Sequence, residues 1–160
     1  MRIHIIGDIT HEAFVDFDTA LCTAEEANEE VEVILSSDGG NAQIALAFFD
    51  RIQSADVTVT IVGTGLVASA AVLILAAGHK RQITKNAWVM VHEESLSDLS
   101  GDVTAIEREA KQLRSYENQW TALLASVTRT SAEQWTHLHK AEVHIPALQC
   151  LAYGLIEEII

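Results

Sequence analysis

Three places in the sequence carry residue types suited to covalent chemistry. Ser69 stands in Ala68-Ser69-Ala70-Ala71, shortly after Gly63-Thr64-Gly65 and at the predicted start of an apolar helix. A nucleophile gains there from the unpaired N–H groups and positive dipole end of the helix, which suit a developing oxyanion. Small neighbours let a substrate backbone approach, and a strand-to-helix turn presents the hydroxyl at the sheet edge. The local sequence is not GxSxG, and taken alone a serine at this place reads first as a helix N-cap.

The second place is Ser36-Ser37-Asp38-Gly39-Gly40-Asn41, directly after a predicted strand. Paired glycines permit positive φ angles and expose backbone N–H groups, which builds either an oxyanion hole or an ordinary tight turn. The run is not GxGxxG and no GKS/T follows, so nucleotide binding has little support. The third is His92, which closes the apolar run Trp88-Val89-Met90-Val91 ahead of Glu93-Glu94. A histidine at a strand end is held rigidly enough to act as a general base, although such a histidine is commonly just solvent-exposed. His137, His139 and His144 with Glu142 could be drawn as a metal site, but His137 and His139 diverge on a helix; no metal is expected.

The elements that must position these residues alternate. Strands are predicted at Ile3–Ile6, Val31–Leu35, Val57–Val62, Arg81–Thr84 and Trp88–His92, with a short last one at Leu155–Ile160. Helices are predicted at Thr10–Ala27 with a Thr cap, up to about Ser54 after the Gly-Gly turn, and from about Ala68 to Ala77. A long amphipathic helix spans Asp102–Ser126, followed by helices at Ser131–His139, with Ser131 as N-cap, and Ile145–Tyr153. Strand–helix alternation makes an α/β domain with mainly parallel pairing, whose sites lie beyond the carboxyl ends of strands. Both glycine-bearing turns fall there.

The bulk numbers narrow the function classes. The 160 residues fit one domain, and 49% hydrophobic with 21% charged residues is a globular profile. Ten basic against 23 acidic residues give a formal charge of −13, which repels phosphate backbones and argues against nucleic acid. The N-terminus, interrupted by Gly7-Asp8, is too short for a signal peptide, and the longest apolar stretch, Gly65 to Gly78, is too short for a membrane span. Cys22 and Cys150 lack CxxC spacing and read as reduced core residues of a cytoplasmic protein.

Taken jointly, the three places form a recognisable order. Ser36-Ser37-Asp38-Gly39-Gly40, then Ala68-Ser69-Ala70-Ala71 running into Leu75-Ala76-Ala77-Gly78, then Val89-Met90-Val91-His92, and finally Tyr153-Gly154-Leu155-Ile156 resemble the Clp protease proteolytic subunit family over nearly the whole chain. The resemblance implies a crotonase-like α/β spiral of β-α units with a protruding handle at about 93–127. It implies Ser69 as nucleophile, His92 as general base and Glu142 at the third triad position, where the family has aspartate. The backbone N–H groups of Gly40 and Ala70 would form the oxyanion hole, and Gly39, Asn41 and Glu93 would border the substrate. No cofactor is implied.

The same resemblance implies a homo-oligomeric ring of six or seven subunits, stacked in pairs, that hydrolyses peptides or unfolded proteins. The sequence departs from the family at Asp38, where proline is usual, and at Ala70-Ala71, where Met-Gly is usual; the Ala-Ser-Ala-Ala run is similar to phage head-maturation peptidases of the same superfamily. The chain begins at its first strand, so the expectation is a pore without N-terminal loops and weak or no stimulation by a Clp-type ATPase. Two other readings stay open: a catalytically silent ring subunit, suggested by Glu142, and an acyl-CoA hydratase or isomerase on the related fold.

Overall fold

The structure is a computed structural model that describes residues 1–93 and 102–160. Thirteen elements are formed by these residues: β1 (Arg2–Ile6), α1 (His11–Ala27), β2 (Val31–Ser37), α2 (Ala42–Gln53), β3 (Val59–Ala68), α3 (Ala70–Ala77), β4 (Lys80–Ile83), β5 (Trp88–Val91), α4 (Val103–Val127), α5 (Ala132–Ala141), β6 (Val143–Pro146), α6 (Ala147–Tyr153) and β7 (Glu158–Ile159). The handle expected at about 93–127 thus includes α4, while 94–101 lie outside the described residues.

One sheet organises the chain. Its main path runs β1-β2-β3-β4-β7, with β5 paired to β3 and β6 to β5. Every pairing is parallel except β5–β6. Along β2 the residues Val31, Val33, Leu35 and Ser37 are buried in strict alternation with partly exposed ones, the period that sets one face against the core. All eight residues of α3 are buried. A helix apolar on every side can sit only inside the protein, and it packs against α2, β3 and α4. At eight residues this helix is too short for a bilayer span, and among the described residues no helix is long and apolar enough to cross one.

Helix starts follow local chemistry. Thr10 Oγ1 accepts from Ala13 N–H, Asn41 Oδ1 from Gln43 and Ile44 N–H, and Asp102 Oδ1 from Ala105 N–H. Ser131 and Gln134 form a reciprocal capping box at α5.

The structure corrects four expectations. The Gly63-Thr64-Gly65 stretch does not end its strand: β3 runs on to Ala68. Between Leu35 opposite Gly63 and Ser37 opposite Val67, two steps on β2 face four on β3. This bulge turns the strand, so β3 pairs with β4 up to Gly63 and with β5 from Leu66. Secondly, Val143–Pro146 is a strand, not the start of a helix: it pairs antiparallel with β5, and Pro146 favours an extended Ile145 before it. Thirdly, only Glu158–Ile159 pair at the C-terminus, while Leu155 and Ile156 are fully buried in the core. Finally, Cys22 is exposed on α1, one position beyond the buried Leu21; Cys150 is the buried one, and burial pushes its thiol up to about 12.

Candidate active site

Ser69 occupies the one-residue link between β3 and α3. Its N–H donates to Met90 O at 2.9 Å, extending the β3–β5 pairing, and its carbonyl accepts from Val72 N–H at 3.0 Å to start the helix. Meeting both demands forces φ 52° and ψ −123°, a conformation usually left to glycine. Although Ser69 is the N-cap residue by position, its hydroxyl makes no capping hydrogen bond. The capping role, which the sequence alone favoured, is not what this side chain does.

The two glycines complete one wall. Gly39 (φ 113°) packs directly on Ser69, and a Cβ on it would stand 2.7 Å from Ser69 Cβ. Its N–H donates to Ser37 Oγ at 3.0 Å and its carbonyl accepts from Ile9 N–H at 2.8 Å, so both of its polar groups are used within the chain. Gly40 forms a parallel bridge with Ile9, and a Cβ there would meet Ile9 O at 2.6 Å. In such a bridge Ile9 bonds to the groups of residues 39 and 41, so the N–H of Gly40 faces the opposite side. Ala70 is fully buried in the first turn of α3, where N–H groups lack helical partners. Asn41 caps α2 with its side chain.

His92 follows the last residue of β5 and is half-buried. Its Nδ1 lies 2.8 Å from Glu93 O. A carbonyl can only accept, so this contact assigns the proton to Nδ1 and leaves Nε2 as the basic nitrogen. Glu93 is exposed and touches the site through this carbonyl. Ser69 and His92 line one small cavity together with Val72, Val91, Trp120, Leu124 and His139. No hydrogen bond joins the Ser69 hydroxyl to His92; such bonds often tighten only around substrate.

Glu142 lies close by in register. Val91 pairs with Val143 as the last rung of the antiparallel β5–β6 ladder, and His92 and Glu142 are the residues just beyond that rung on the two chains. Glu142 is the C-cap of α5 in the left-handed conformation (φ 50°), exposed, and its carboxylate makes no hydrogen bond or ion pair among the described residues. The structure therefore brings Ser69, His92 and the glycine turn together and leaves the Glu142 carboxylate unengaged. His137 lines a different surface depression, with Glu133, Gln134, Leu138 and Tyr153, and His144 on β6 pairs with Met90 of β5.

His139 and Trp120 are the wall residues that sequence reasoning did not place here. His139 is 6% exposed, and burial, followed by the nearby charge of His92, holds its imidazole down at about 4. The available signal was its i+4 spacing from Trp135, which puts both on the inward face of α5.

The chain is thus an α/β domain with a serine on a strained strand-to-helix turn and a histidine lining the same small cavity. The chain belongs to the Clp protease family, whose sequence profile matches residues 2–160. It is 33% identical over 135 residues to ATP-dependent Clp protease proteolytic subunit 2 of Treponema pallidum, covering 83% of this chain and 67% of that protein. The chloroplastic proteolytic subunit 4 of Arabidopsis thaliana is 28% identical over 142 residues, 88% of this chain; there the chain spans about half (48%) of the relative's length. A mutant of ClpP1 from Listeria monocytogenes superposes with a TM-score of 0.89 at 28% identity, covering 99% of this chain and 90% of that one. The fold is that of ClpP.

Proposed function

We propose that this protein is a serine endopeptidase that cleaves peptides or unfolded chains inside a ring assembly of its own copies. Ser69 Oγ attacks the peptide carbonyl while His92 Nε2 takes its proton, and the N–H groups of Gly40 and Ala70 receive the oxyanion. His92 then protonates the leaving amine, and water releases the acyl group by the same path. Glu142, just beyond the same last rung as His92, supplies the carboxylate that steadies the imidazolium once its side chain turns inward. Gly39 gives the close approach beside Ser69, and Asn41 and Glu93 border the bound chain.

The observation that carries this reading is the backbone of Ser69. A non-glycine residue is held at φ 52° while its hydroxyl stays unbonded, and strain of this kind is retained where it aims a reacting group. The test is labelling of the intact protein by a fluorophosphonate probe, with peptide turnover alongside. The wild type should label at Ser69 and hydrolyse peptide, and Ser69→Ala should do neither while keeping its native mass.

One observation favours a second reading, a catalytically silent ring subunit: the Glu142 carboxylate is unengaged and Glu93 O occupies His92 Nδ1. Absence of labelling in a correctly assembled wild type would select it. The acyl-CoA reading gives the Ser69–His92 pair no role. The ring of six or seven subunits, paired face to face, a cytoplasmic setting, and the question of a Clp-type ATPase partner all belong to this proposal.

A further inference from the structure

The residue whose carbonyl is attacked carries its side chain on the atom bonded to the reacting carbon, so that side chain must fit beside Ser69. The space available there is the cavity closed by Trp120 and Leu124 of α4 and His139 of α5. It encloses about 220 Å³, part of it open to solvent, and its interior has room for little more than one water-sized sphere. A methyl group is about that size; a leucine or phenylalanine side chain is several times larger.

Trp120 is the largest side chain in the lining. It is 9% exposed, and its Nε1–H has no hydrogen-bond partner among the described residues. A buried indole ordinarily finds an acceptor for its N–H. Hydrogen bonding therefore does not account for the ring's position, and what it contributes to the cavity that Ser69 also lines is its bulk. His139 closes the other side as a buried ring. It stays uncharged at neutral pH, because burial disfavours its protonated form.

We propose that Trp120 and His139 set the specificity of the Ser69 site, limiting the residue on the acyl side of the scissile bond to glycine, alanine or serine. This rests on Ser69 being the nucleophile. Val72 and Val91 complete an apolar lining, which accepts a methyl and offers a charged side chain nothing to pair with.

The experiment uses peptidyl diphenyl phosphonates identical except for alanine, leucine or phenylalanine at the reacting position, with a generic fluorophosphonate as reference. Covalent labelling rates are read by intact mass on the full chain, for wild type, Trp120→Leu, Trp120→Ala and His139→Ala. The expected wild-type result is alanine faster than leucine and phenylalanine by at least about tenfold, the scale on which apolar pockets discriminate by size. The Trp120 variants should erase or reverse that order, and His139→Ala should relax it. Leucine or phenylalanine labelling as fast as alanine in the wild type, with the generic probe reacting, would overturn the specificity while Ser69 stands. An order unchanged in the variants that fold would overturn the role of Trp120. No reaction with any reagent, the generic one included, would overturn the nucleophile and this inference with it. The wild-type comparison decides even where Trp120→Ala does not fold.

Discussion

Gly39 lies so close to Ser69 that a Cβ on it would stand 2.7 Å from Ser69 Cβ and 3.2 Å from Ser69 Oγ. The carboxyl ends of β2 and β3 are pressed together there, and the β3 bulge is what brings Ala68 and Ser69 level with the glycine turn. The contact works in one direction only: Gly39 has no side chain so that Ser69 can keep its own.

Substitutions at the two positions should therefore act with opposite sign on stability. Gly39→Ala adds a clash and an unfavourable φ of 113°, and should destabilise by about 1–3 kcal/mol. It should also lower turnover by roughly a hundredfold through displacement of the hydroxyl. Ser69→Gly releases the strained φ and should stabilise by about 1 kcal/mol while abolishing turnover, since a triad serine is worth on the order of a million-fold. Urea unfolding of both variants beside the wild type checks the pair. A less stable Ser69→Gly would mean that the turn carries no strain.

Glu142 presents a sharper question, because it and His92 flank the last rung of the β5–β6 ladder while its carboxylate remains exposed. If it turns in to serve His92, Glu142→Ala should cut turnover by up to about ten-thousand-fold, the scale set by loss of the orienting acid in a well-studied triad. Glu142→Asp should retain activity. Steady-state hydrolysis of a short peptide measures both, and equal rates in Glu142→Ala and wild type would show that Glu93 O alone holds the imidazole.

The alternation of strand and helix, and so the parallel sheet, was legible because each element keeps its own hydrophobic period. Ser69, His92 and the glycine pair were legible through their order along the chain. What stayed hidden depended on contacts distant in sequence. The partner switch of β3 needs β4 and β5 in place before a Gly-Thr-Gly stretch becomes a bulge in place of a turn. Strand β6 exists because β5 offers it an antiparallel edge, and only Pro146 hinted at it locally. His139 looked like one of three scattered histidines until α4 and α5 folded over the cavity beside Ser69.

That burial makes His139 a source of pH-dependent stability. Its folded pKa, about 4, lies below the ordinary value of 6.5, so the unfolded chain binds the proton more readily between those limits. Stability from this group is fully present above pH 6.5 and is lost as pH falls toward 4. The full loss is about 3 kcal/mol. His92, the neighbouring titratable group in the cavity, adds in the same direction by repelling a second charge. His139→Asn should flatten the decline between pH 6.5 and 4.5 in urea unfolding, and an unchanged slope would assign the acid sensitivity to other groups.

The handle helix carries the last expectation. Along α4, Trp120 and Leu124 are buried against the domain, whereas Val103 is 71% and Ile106 37% exposed. Ala110 and Leu113 lie between them, half-buried, so an apolar stripe that begins in the core runs out into solvent toward the N-terminal end of α4. Stripes of this kind are normally covered, and in the proposed paired ring the expected cover is the same stripe on an opposing subunit. Leu113→Glu sets a charge within that stripe without touching Ser69's cavity. Native mass measurement should then show single rings or smaller species where the wild type shows paired rings, with serine-probe labelling preserved. A wild type that runs as a monodisperse monomer at micromolar concentration would remove the basis for the assembly, and paired rings unaffected by Leu113→Glu would move the contact to another face.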